Sequence, residues 1–247
     1  MKLAVIGHPV AHSKSPLIHA KFAETLGVDV DYTAIDVTAA TLPDFIELAR
    51  RGFAGFNVTM PLKQEIVHYL DDTAVEAVNT VVVKNGKLTG YSTDGAGVIA
   101  ALKSHYPALQ NKSVVVLGSG GAAKSAIAAL SKIGANLISV SRKLGNFSEL
   151  GNIASTADTV INATSLGMSG CDEFASFEWL DSLKKGALIF DIVYNPVNTE
   201  LLKEAAKRGL ATIGGLRLLI EQAAASFELF SGTRPPKSCV DWLIETM

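Results

Sequence analysis

Short apolar runs alternate with longer helical segments along most of the chain, and this alternation constrains the fold more than any other feature. Several of the short runs are rich in branched residues and apolar at every position, which is typical of strands covered by helices on both faces of a parallel sheet. The pattern predicts an α/β architecture. The predicted strands are 3–6, 30–37, 53–58, 81–83, 114–117, 137–140, 159–162 and 187–193, and the predicted helices are 16–26, 42–51, 61–70, 96–106, 122–133, 200–208 and 216–230, with a short terminal helix.

One segment interrupts the alternation. Asn85-Gly86 stands between two short strand-like runs, and this dipeptide is a strong signal for a two-residue β-hairpin turn. An antiparallel hairpin at this point indicates that a first sheet is closing. A new strand–helix series then begins at Val114, so a domain boundary is expected in the region between them.

Charge and cysteine content exclude several classes of function. The 247 residues contain 22 Lys and Arg against 24 Asp and Glu, so there is no basic surplus to hold a nucleic acid. Cys171 and Cys239 are the only cysteines, which argues against a disulfide scaffold and favours a reducing compartment. No apolar run approaches the ~18 residues of a membrane-spanning helix. We therefore expect a cytoplasmic protein with neither a nucleic-acid nor a membrane partner, and the histidines suggest no metal site.

A glycine-rich turn connects the strand at 114–117 to an Ala-rich helix. Such a turn lets the backbone approach a pyrophosphate, and the N-terminus of the helix stabilises the phosphate charge. The preceding strand, the following helix and the next strand supply the context that the motif requires. The residues predicted to contact a dinucleotide here are Gly118, Ser119, Gly120, Gly121 and Ala122.

The end of the next strand distinguishes the two nicotinamide cofactors. Enzymes that use NAD usually place Asp or Glu there to bind the ribose 2′-hydroxyl. This chain has Ser141-Arg142-Lys143 instead. A guanidinium and an ammonium group would attract a 2′-phosphate, so the sequence favours NADP over NAD. The alternative is that the two cations are simply solvated loop residues.

Two polar clusters in the first hundred residues come at predicted helix starts. Ser15 before Pro16 is expected to cap a helix, and together with Ser13 it offers two hydroxyls for a carboxylate. Thr59 and Pro61 mark a second predicted helix, whose first turn holds Lys63. The positive end of that helix would favour the neutral amine, which suits proton transfer, although a surface lysine is the simpler interpretation.

Two further clusters follow. Asn79 and Thr80 lie at the entrance of a strand, and Thr93-Asp94-Gly95 precedes the helix from 96. Asp94 alone is explained by helix capping, but a carboxylate beside Lys63 would orient the lysine and keep it charged until its proton is needed. Four such clusters within a hundred residues indicate a substrate site.

Taken together, these motifs resemble the shikimate dehydrogenase family, nearly from end to end. The segments that carry the resemblance are 13–16, 57–63, 77–80, 93–95, 118–123, 161–168, 191–196 and 215–222. The resemblance implies an N-terminal α/β substrate domain, residues 1–98 completed by the C-terminal helices 219–247, and a Rossmann-type NADP-binding domain, 99–218, with a cleft between them. We expect the protein to be a monomer or a homodimer.

The resemblance assigns roles to individual residues. Lys63 and Asp94 would form the catalytic pair for hydride transfer between NADPH and 3-dehydroshikimate, giving shikimate. Around this pair the substrate carboxylate and ring hydroxyls would be bound by Ser13, Ser15, Thr59, Asn79, Tyr194 and Gln222. Besides the glycine turn, the cofactor would be bound by Ser141, Arg142, Lys143, Asn162, Thr164, Met168, Ile192 and Gly215.

Several positions depart from the family pattern without removing a proposed catalytic group: Glu76, Ser92, Lys143, Ser165 and Leu218. Two alternative functions stay open. One is a quinate/shikimate dehydrogenase that uses NAD or both cofactors. The other is a non-catalytic NADP-binding regulatory module, which predicts loss of the Lys–Asp pair, whereas both members are present.

Overall fold

The computed structural model describes residues 1–247 and divides into two compact units. Unit 1 comprises Met1–Thr93 and Gln222–Met247, and unit 2 comprises Asp94–Glu221. The domain limits predicted from the sequence, after residues 98 and 218, differ slightly from these. The first limit differs because the helix that starts at Asp94 packs closely on the next helix, where a Cβ on Gly95 would lie 2.8 Å from the Cβ of Ala129.

Eleven strands and eight α-helices make up the two units. The strands are β1 (Lys2–Gly7), β2 (Asp31–Asp36), β3 (Gly55–Val58), β4 (Asp72–Thr73), β5 (Thr80–Lys84), β6 (Lys87–Tyr91), β7 (Ser113–Leu117), β8 (Asn136–Val140), β9 (Thr159–Asn162), β10 (Leu188–Asp191) and β11 (Ala211–Ile213). The helices are α1 (Ser15–Leu26), α2 (Leu42–Gly52), α3 (Asp94–Lys103), α4 (Gly121–Lys132), α5 (Leu150–Ala154), α6 (Glu200–Lys207), α7 (Gly215–Ser231) and α8 (Lys237–Thr246).

Unit 1 is built on a mixed sheet of six strands in the order β2-β1-β3-β5-β6-β4. The strands β2, β1 and β3 are parallel, whereas β5 pairs antiparallel with both β3 and β6. Helix α2 buries Leu42, Phe45, Ile46 and Ala49, which recur at helical spacing, in the core on one side of this sheet. Because β1, β2 and β3 are parallel, their C-terminal ends lie at the same edge of the sheet.

The β5–β6 hairpin confirms the prediction from Asn85-Gly86. Both residues have positive φ, 53° and 74°, as a type I′ turn requires. The hairpin pairs Thr80 with Tyr91, so the chain returns Thr93 to the start of β5. This local turn thus brings together two polar clusters that lie more than ten residues apart in the sequence.

Unit 2 is built on a fully parallel sheet in the order β11-β10-β9-β7-β8. Strand β7 alternates between two cores, with Val114 and Val116 facing one side and Val115 and Leu117 facing the other. All four side chains are buried, which explains why the sequence of this strand is apolar throughout. The α/β class predicted from the sequence is confirmed in both units.

The helix predicted over 61–70 is wrong. Residues 60–64 form turns, and only the short segment Glu65–Tyr69 is helical, as a 3₁₀-helix. The buried residues Leu62 and Ile66 have the spacing of an α-helix, and this pattern misled the sequence-based prediction. Lys63 therefore lies in a turn, and the argument from an α-helix dipole does not apply to it.

None of the helices combines the length and the apolar character that crossing a membrane requires.

Candidate functional site

Ser13 and Ser15 lie where β1 leads into α1. Ser15 is the first residue of α1, and the capping position belongs to Lys14, whose side chain makes no capping hydrogen bond. The prediction that Ser15 caps the helix is therefore wrong. Instead, the Oγ of Ser13 accepts a hydrogen bond from the Ser15 backbone N–H at 3.3 Å. This contact holds the two serines on one short turn.

The segment that holds Thr59 and Lys63 is fixed by backbone hydrogen bonds. The Thr59 N–H donates to the carbonyl of Ile6, and the Leu62 N–H donates to the carbonyl of Thr59, at 2.9 and 3.0 Å. The carbonyl of Lys63 accepts from the Val78 N–H at 2.8 Å. The backbone of Lys63 is thus anchored beside the segment that leads to Asn79.

Asn79 is the centre of a buried cluster of amide and hydroxyl groups. Its Oδ1 accepts from the backbone N–H of Thr93 at 2.8 Å and from the Thr80 hydroxyl at 3.0 Å. Its Nδ2 donates to Oε1 of Gln222 at 3.2 Å. The structure therefore brings together Asn79 and Gln222, two of the predicted substrate residues, from segments that are 143 residues apart.

The same cluster contains residues that the sequence-based prediction of the site missed. Asn57, at the third position of β3, donates from Nδ2 to the hydroxyls of Thr80 and Ser226 at 3.1 and 3.0 Å, and its Oδ1 accepts from Tyr32 at 2.8 Å. Ser226 lies one helical turn beyond Gln222, and this spacing was the available signal. The amide–hydroxyl network is defined here as Asn57, Asn79, Thr80, Thr93, Gln222 and Ser226.

In unit 2 the glycine-rich turn connects β7 to α4 and packs closely on the loop after β9. Gly118 adopts a φ of 117°, and a Cβ there would lie 2.7 Å from the carbonyl oxygen of Ala163. A Cβ at Gly120 or Gly121 would meet no protein atom within 4 Å, so the start of α4 stays accessible to a phosphate. Ser119 lies in this turn, and Ala122 is the second residue of α4.

The residues after β8 carry positive charge. Arg142 and Lys143 are exposed, and neither forms an ion pair with an acidic side chain of the protein. Ser141 is buried, and its hydroxyl accepts from the Leu144 N–H at 3.2 Å, which shapes the turn that presents the two cations. With no carboxylate at the end of β8, these residues fit a cofactor with a 2′-phosphate.

A second buried polar cluster follows β9 and β10. Asn162 donates from Nδ2 to Asp191 at 2.9 Å, and its Oδ1 accepts from the Thr164 hydroxyl at 2.6 Å. Asp191 also accepts from the Val193 N–H at 3.0 Å and from the Thr199 hydroxyl at 2.6 Å. The carboxylate network is defined here as Asn162, Thr164, Asp191 and Thr199.

Asp191 is completely buried and was not among the predicted site residues, although it lies in one of the motifs. Burial raises the pKa of its carboxyl group, while the hydrogen bonds from Thr199, Val193 and Asn162 oppose this rise. Through these hydrogen bonds the Asp191 carboxyl group connects the end of β9 with the loop that follows β10.

The other predicted residues of unit 2 lie along these loops. A Cβ on Gly215 would lie 2.4 Å from the carbonyl oxygen of Ile192, so the first turn of α7 packs directly on the loop after β10. Tyr194 lies in that loop and is exposed, and Met168 lies in the turn after Thr164. Asp94, the predicted partner of Lys63, is the first residue of α3.

Unit 2 combines a parallel sheet, a glycine turn and two cations after its second strand, and the same chain contains a second α/β unit with a buried amide–hydroxyl network. These features point to an NADP-dependent oxidoreductase. Comparisons with known proteins identify the family. The substrate-binding domain model of shikimate dehydrogenase matches residues 5–81, and the C-terminal domain model of shikimate 5′-dehydrogenase matches residues 215–241.

Full-length relatives support the same assignment. The NADP-dependent shikimate dehydrogenase of Geobacter sp. (strain M21) is 40% identical, over 96% of this chain and 92% of its own length. The solved shikimate 5-dehydrogenase of Thermus thermophilus, in complex with NADP(H) and shikimate, has a TM-score of 0.87 at 34% identity and covers 99% of this chain and 98% of its own. A quinate dehydrogenase of Corynebacterium glutamicum in complex with NAD has a TM-score of 0.85 at 28% identity and covers 100% of this chain and 99% of its own.

The chain belongs to the shikimate dehydrogenase family. The family, the enzyme class and the NADP cofactor predicted from the sequence are confirmed by these comparisons.

Proposed function

We propose that this chain catalyses the reversible NADP-dependent reduction of 3-dehydroshikimate to shikimate, with Lys63 as the proton donor and Asp94 as the carboxylate that orients it. The observation that carries the proposal is the amide–hydroxyl network. It gathers side chains from β3, β5, the end of the β5–β6 hairpin and α7 into one group of neutral donors and acceptors. Such groups suit a substrate with several ring hydroxyls.

The proposed roles divide between the two units. Thr59, Asn79 and Gln222 would bind ring hydroxyls, and Ser13, Ser15 and Tyr194 would bind the carboxylate. The remaining predicted residues of unit 2 would bind the cofactor: the glycine turn, the two cations after β8, and Asn162, Thr164, Met168, Ile192 and Gly215. NADPH bound there supplies the hydride.

Lys63 would act on the oxygen of the substrate ketone. As negative charge develops on that oxygen, an ammonium group can donate a hydrogen bond to it and then transfer its proton. The turn of Lys63 is suited to this task because its backbone is fixed through Thr59 and Val78, which leaves the reorientation to the side chain. Asp94 would direct the ammonium group towards the oxygen.

Replacement of Lys63 tests the proposal directly. In Lys63→Ala we expect kcat for shikimate oxidation to fall by roughly 10²- to 10⁴-fold, the usual contribution of acid–base catalysis, while the KM for shikimate stays within a few-fold. The measurement is the initial rate of NADPH formation by absorbance. Lys87→Ala, at an exposed position of the β5–β6 hairpin, removes the same charge and should retain full turnover. A Lys63→Ala variant with near wild-type kcat would exclude Lys63 from the mechanism.

A second candidate is the oxidation of quinate with NAD. The likeness to the quinate dehydrogenase of Corynebacterium glutamicum favours it. The unpaired cations Arg142 and Lys143 favour NADP instead, because a 2′-phosphate would neutralise them. Direct comparison of the two substrates and the two cofactors separates these functions.

A further inference from the structure

The loop after β8, residues 141–146, is held by a side chain that has no part in the proposed roles, that of Asn146. Its Oδ1 accepts from the Ser141 N–H at 3.0 Å, and its Nδ2 donates to the carbonyl of Ser139 at 3.0 Å. The N–H group can only donate and the carbonyl can only accept, so the two contacts select one orientation of the amide. Asn146 therefore ties the end of the loop to its beginning.

The two backbone groups that Asn146 binds belong to the free edge of the sheet. The carbonyl of Val140 accepts from the Gly118 N–H, on the side of β7. Backbone groups of successive strand residues alternate in direction, so the Ser139 carbonyl and the Ser141 N–H point away from β7. The sheet ends at β8, whereas the usual dinucleotide-binding sheet has a further strand beyond its second one. The amide of Asn146 thus makes the two hydrogen bonds that one residue of a parallel neighbouring strand would make.

The loop that Asn146 closes carries the two cations. Arg142 and Lys143 lie between the two ends that the amide joins, and both side chains are exposed. Within the loop the Gly145 N–H donates to the carbonyl of Arg142 at 3.1 Å, and Gly145 adopts a φ of 70°, which turns the chain back towards β8. Because this backbone is already closed, binding of a ligand to the cations does not have to order it.

We propose that Asn146 is a positioning residue for the 2′-phosphate of the cofactor, because it holds the loop in the conformation in which Arg142 and Lys143 present their charges to that group. Asn146 itself makes no contact with the phosphate and takes no part in hydride transfer. This inference rests on the proposed role of the two cations in cofactor binding. It makes Asn146 a determinant of the preference for NADP over NAD.

The first test is Asn146→Ala, which removes both hydrogen bonds of the amide. The dissociation constants of NADP and NAD are measured by calorimetric titration of the protein without substrate. We expect the constant for NADP to rise about three- to tenfold, because the loop must then be ordered on binding, and the constant for NAD to stay within about twofold. A merely structural role would lower the melting temperature and change both constants alike, and this result would overturn the inference.

Asn136→Ala is the matched control. Asn136 is the first residue of the same edge strand, and its Nδ2 donates to the carbonyl of Asn111 at 3.1 Å, so this variant also loses a side-chain amide that binds the backbone. Asn136 lies at the opposite end of β8 from the loop, so the dissociation constant of NADP should keep its wild-type value. If Asn146→Ala raises this constant no more than Asn136→Ala does, the positioning role is refuted.

The second test places Asn146→Ala in the background Arg142→Ala/Lys143→Ala. Because Asn146 acts through the two cations, its replacement should then have no further effect on the dissociation constant of NADP. A further rise as large as in the wild-type background would refute the inference while leaving the proposed cation site intact.

The same variants separate this inference from the proposals on which it rests. If Arg142→Ala/Lys143→Ala binds NADP as tightly as the wild type does, the proposed cofactor role of the two cations fails, and the inference fails with it. A protein that shows the expected changes in NADP binding but no shikimate turnover would contradict the proposed reaction alone and would support the role of Asn146.

Discussion

Unit 1 and unit 2 each bury a polar cluster near the ends of parallel strands, and the two clusters differ in charge. The amide–hydroxyl network of unit 1 contains no ionisable group, and each of its side chains can both donate and accept. The carboxylate network of unit 2 is centred on Asp191, which accepts from two side chains and one backbone N–H. The two units thus solve the problem of burying polar groups differently.

The difference indicates what each cluster is suited to do. Neutral amides and hydroxyls can reverse their donor and acceptor roles to match the hydroxyls of a substrate at little electrostatic cost. A buried carboxylate accepts strong hydrogen bonds and fixes its donors in place. The amide–hydroxyl network therefore suits the substrate recognition that we propose for unit 1, whereas the carboxylate network of unit 2 holds the loops after β9 and β10.

The largest expected effect on stability is that of Asp191→Ala. This change leaves the side chains of Asn162 and Thr199 and the Val193 N–H without their common acceptor, so we expect a loss of about 3 kcal/mol or more in the free energy of unfolding. Asn79→Ala in unit 1 should cost less, about 1–3 kcal/mol, because no charged group is involved. Urea unfolding measures the free energy of unfolding of both variants. Equal losses would contradict the expected difference between the charged cluster of unit 2 and the neutral cluster of unit 1.

The pH dependence of stability gives a finer test of Asp191. Its pKa in the folded state is raised above the ordinary value of 3.8, so its contribution to stability is fully present below that value and is lost as the pH rises through the folded-state pKa. The side chain of Asp191→Asn does not titrate. The free energy of unfolding of this variant should therefore lack the part of the decline with rising pH that comes from Asp191. Parallel stability curves for the two proteins would refute the buried-carboxyl account.

A smaller effect is expected for Arg142→Ala, which removes a cation that would pair with the 2′-phosphate. We expect the KM for NADP to rise roughly 10- to 100-fold and the KM for NAD to change little, because NAD has no phosphate at that position. Lys132→Ala, at the exposed end of α4, lowers the net charge of the same unit by the same amount and serves as the control. A similar rise in KM for both cofactors would contradict this role of Arg142.

The smallest effect concerns His19, and its sign is opposite to that of Asp191. Burial lowers the pKa of His19 from 6.5 to about 3, so stability is lost as the pH falls below 6.5, where the unfolded chain takes up a proton that the folded chain does not. From about pH 7.5 to about pH 5.5 this one group should reduce the free energy of unfolding by about 1.4 kcal/mol.

His19→Leu should remove that part of the pH dependence whatever its effect on stability at pH 7.5. His68→Asn, at an exposed position, should keep the loss because His19 is still present. If the free energy of unfolding of His19→Leu falls between the two pH values by as much as that of the wild type, His19 is not the source of the pH dependence.

Local signals predicted most of the fold. The hairpin at Asn85-Gly86 and the parallel strands of unit 2 follow from turn chemistry and from apolar runs, both of which act over a few residues. The helix expected over 61–70 failed because Leu62 and Ile66 are spaced as on an α-helix although the chain forms turns there. Ser15 was misplaced by one position for a similar reason, since Ser-Pro is typical of several positions at a helix start.

The polar networks could be predicted only in part. Asn79 and Gln222 were recognised from their motifs, but the bond from Asn57 to Ser226 joins residues 169 positions apart, and no local pattern indicates such a pair. The surroundings of Asp191 are equally non-local, because the side chains that donate to its carboxyl group, Asn162 and Thr199, come from two other segments of the chain. Sequence reasoning therefore assigned roles to some residues of the known motifs and missed those that hold them in place, although Asn57 and Asp191 occur in the same motifs.

The most direct test of the whole account is a set of initial rates with the purified protein, in four reactions that combine shikimate or quinate with NADP or NAD. We expect kcat/KM to be highest for shikimate with NADP, by at least about tenfold over the same substrate with NAD, because only NADP carries the 2′-phosphate that Arg142 and Lys143 would bind. Comparable rates with NAD or with quinate would contradict the assigned specificity. The absence of measurable turnover in all four reactions would contradict the assignment of Lys63 and Asp94 as the catalytic pair for these substrates.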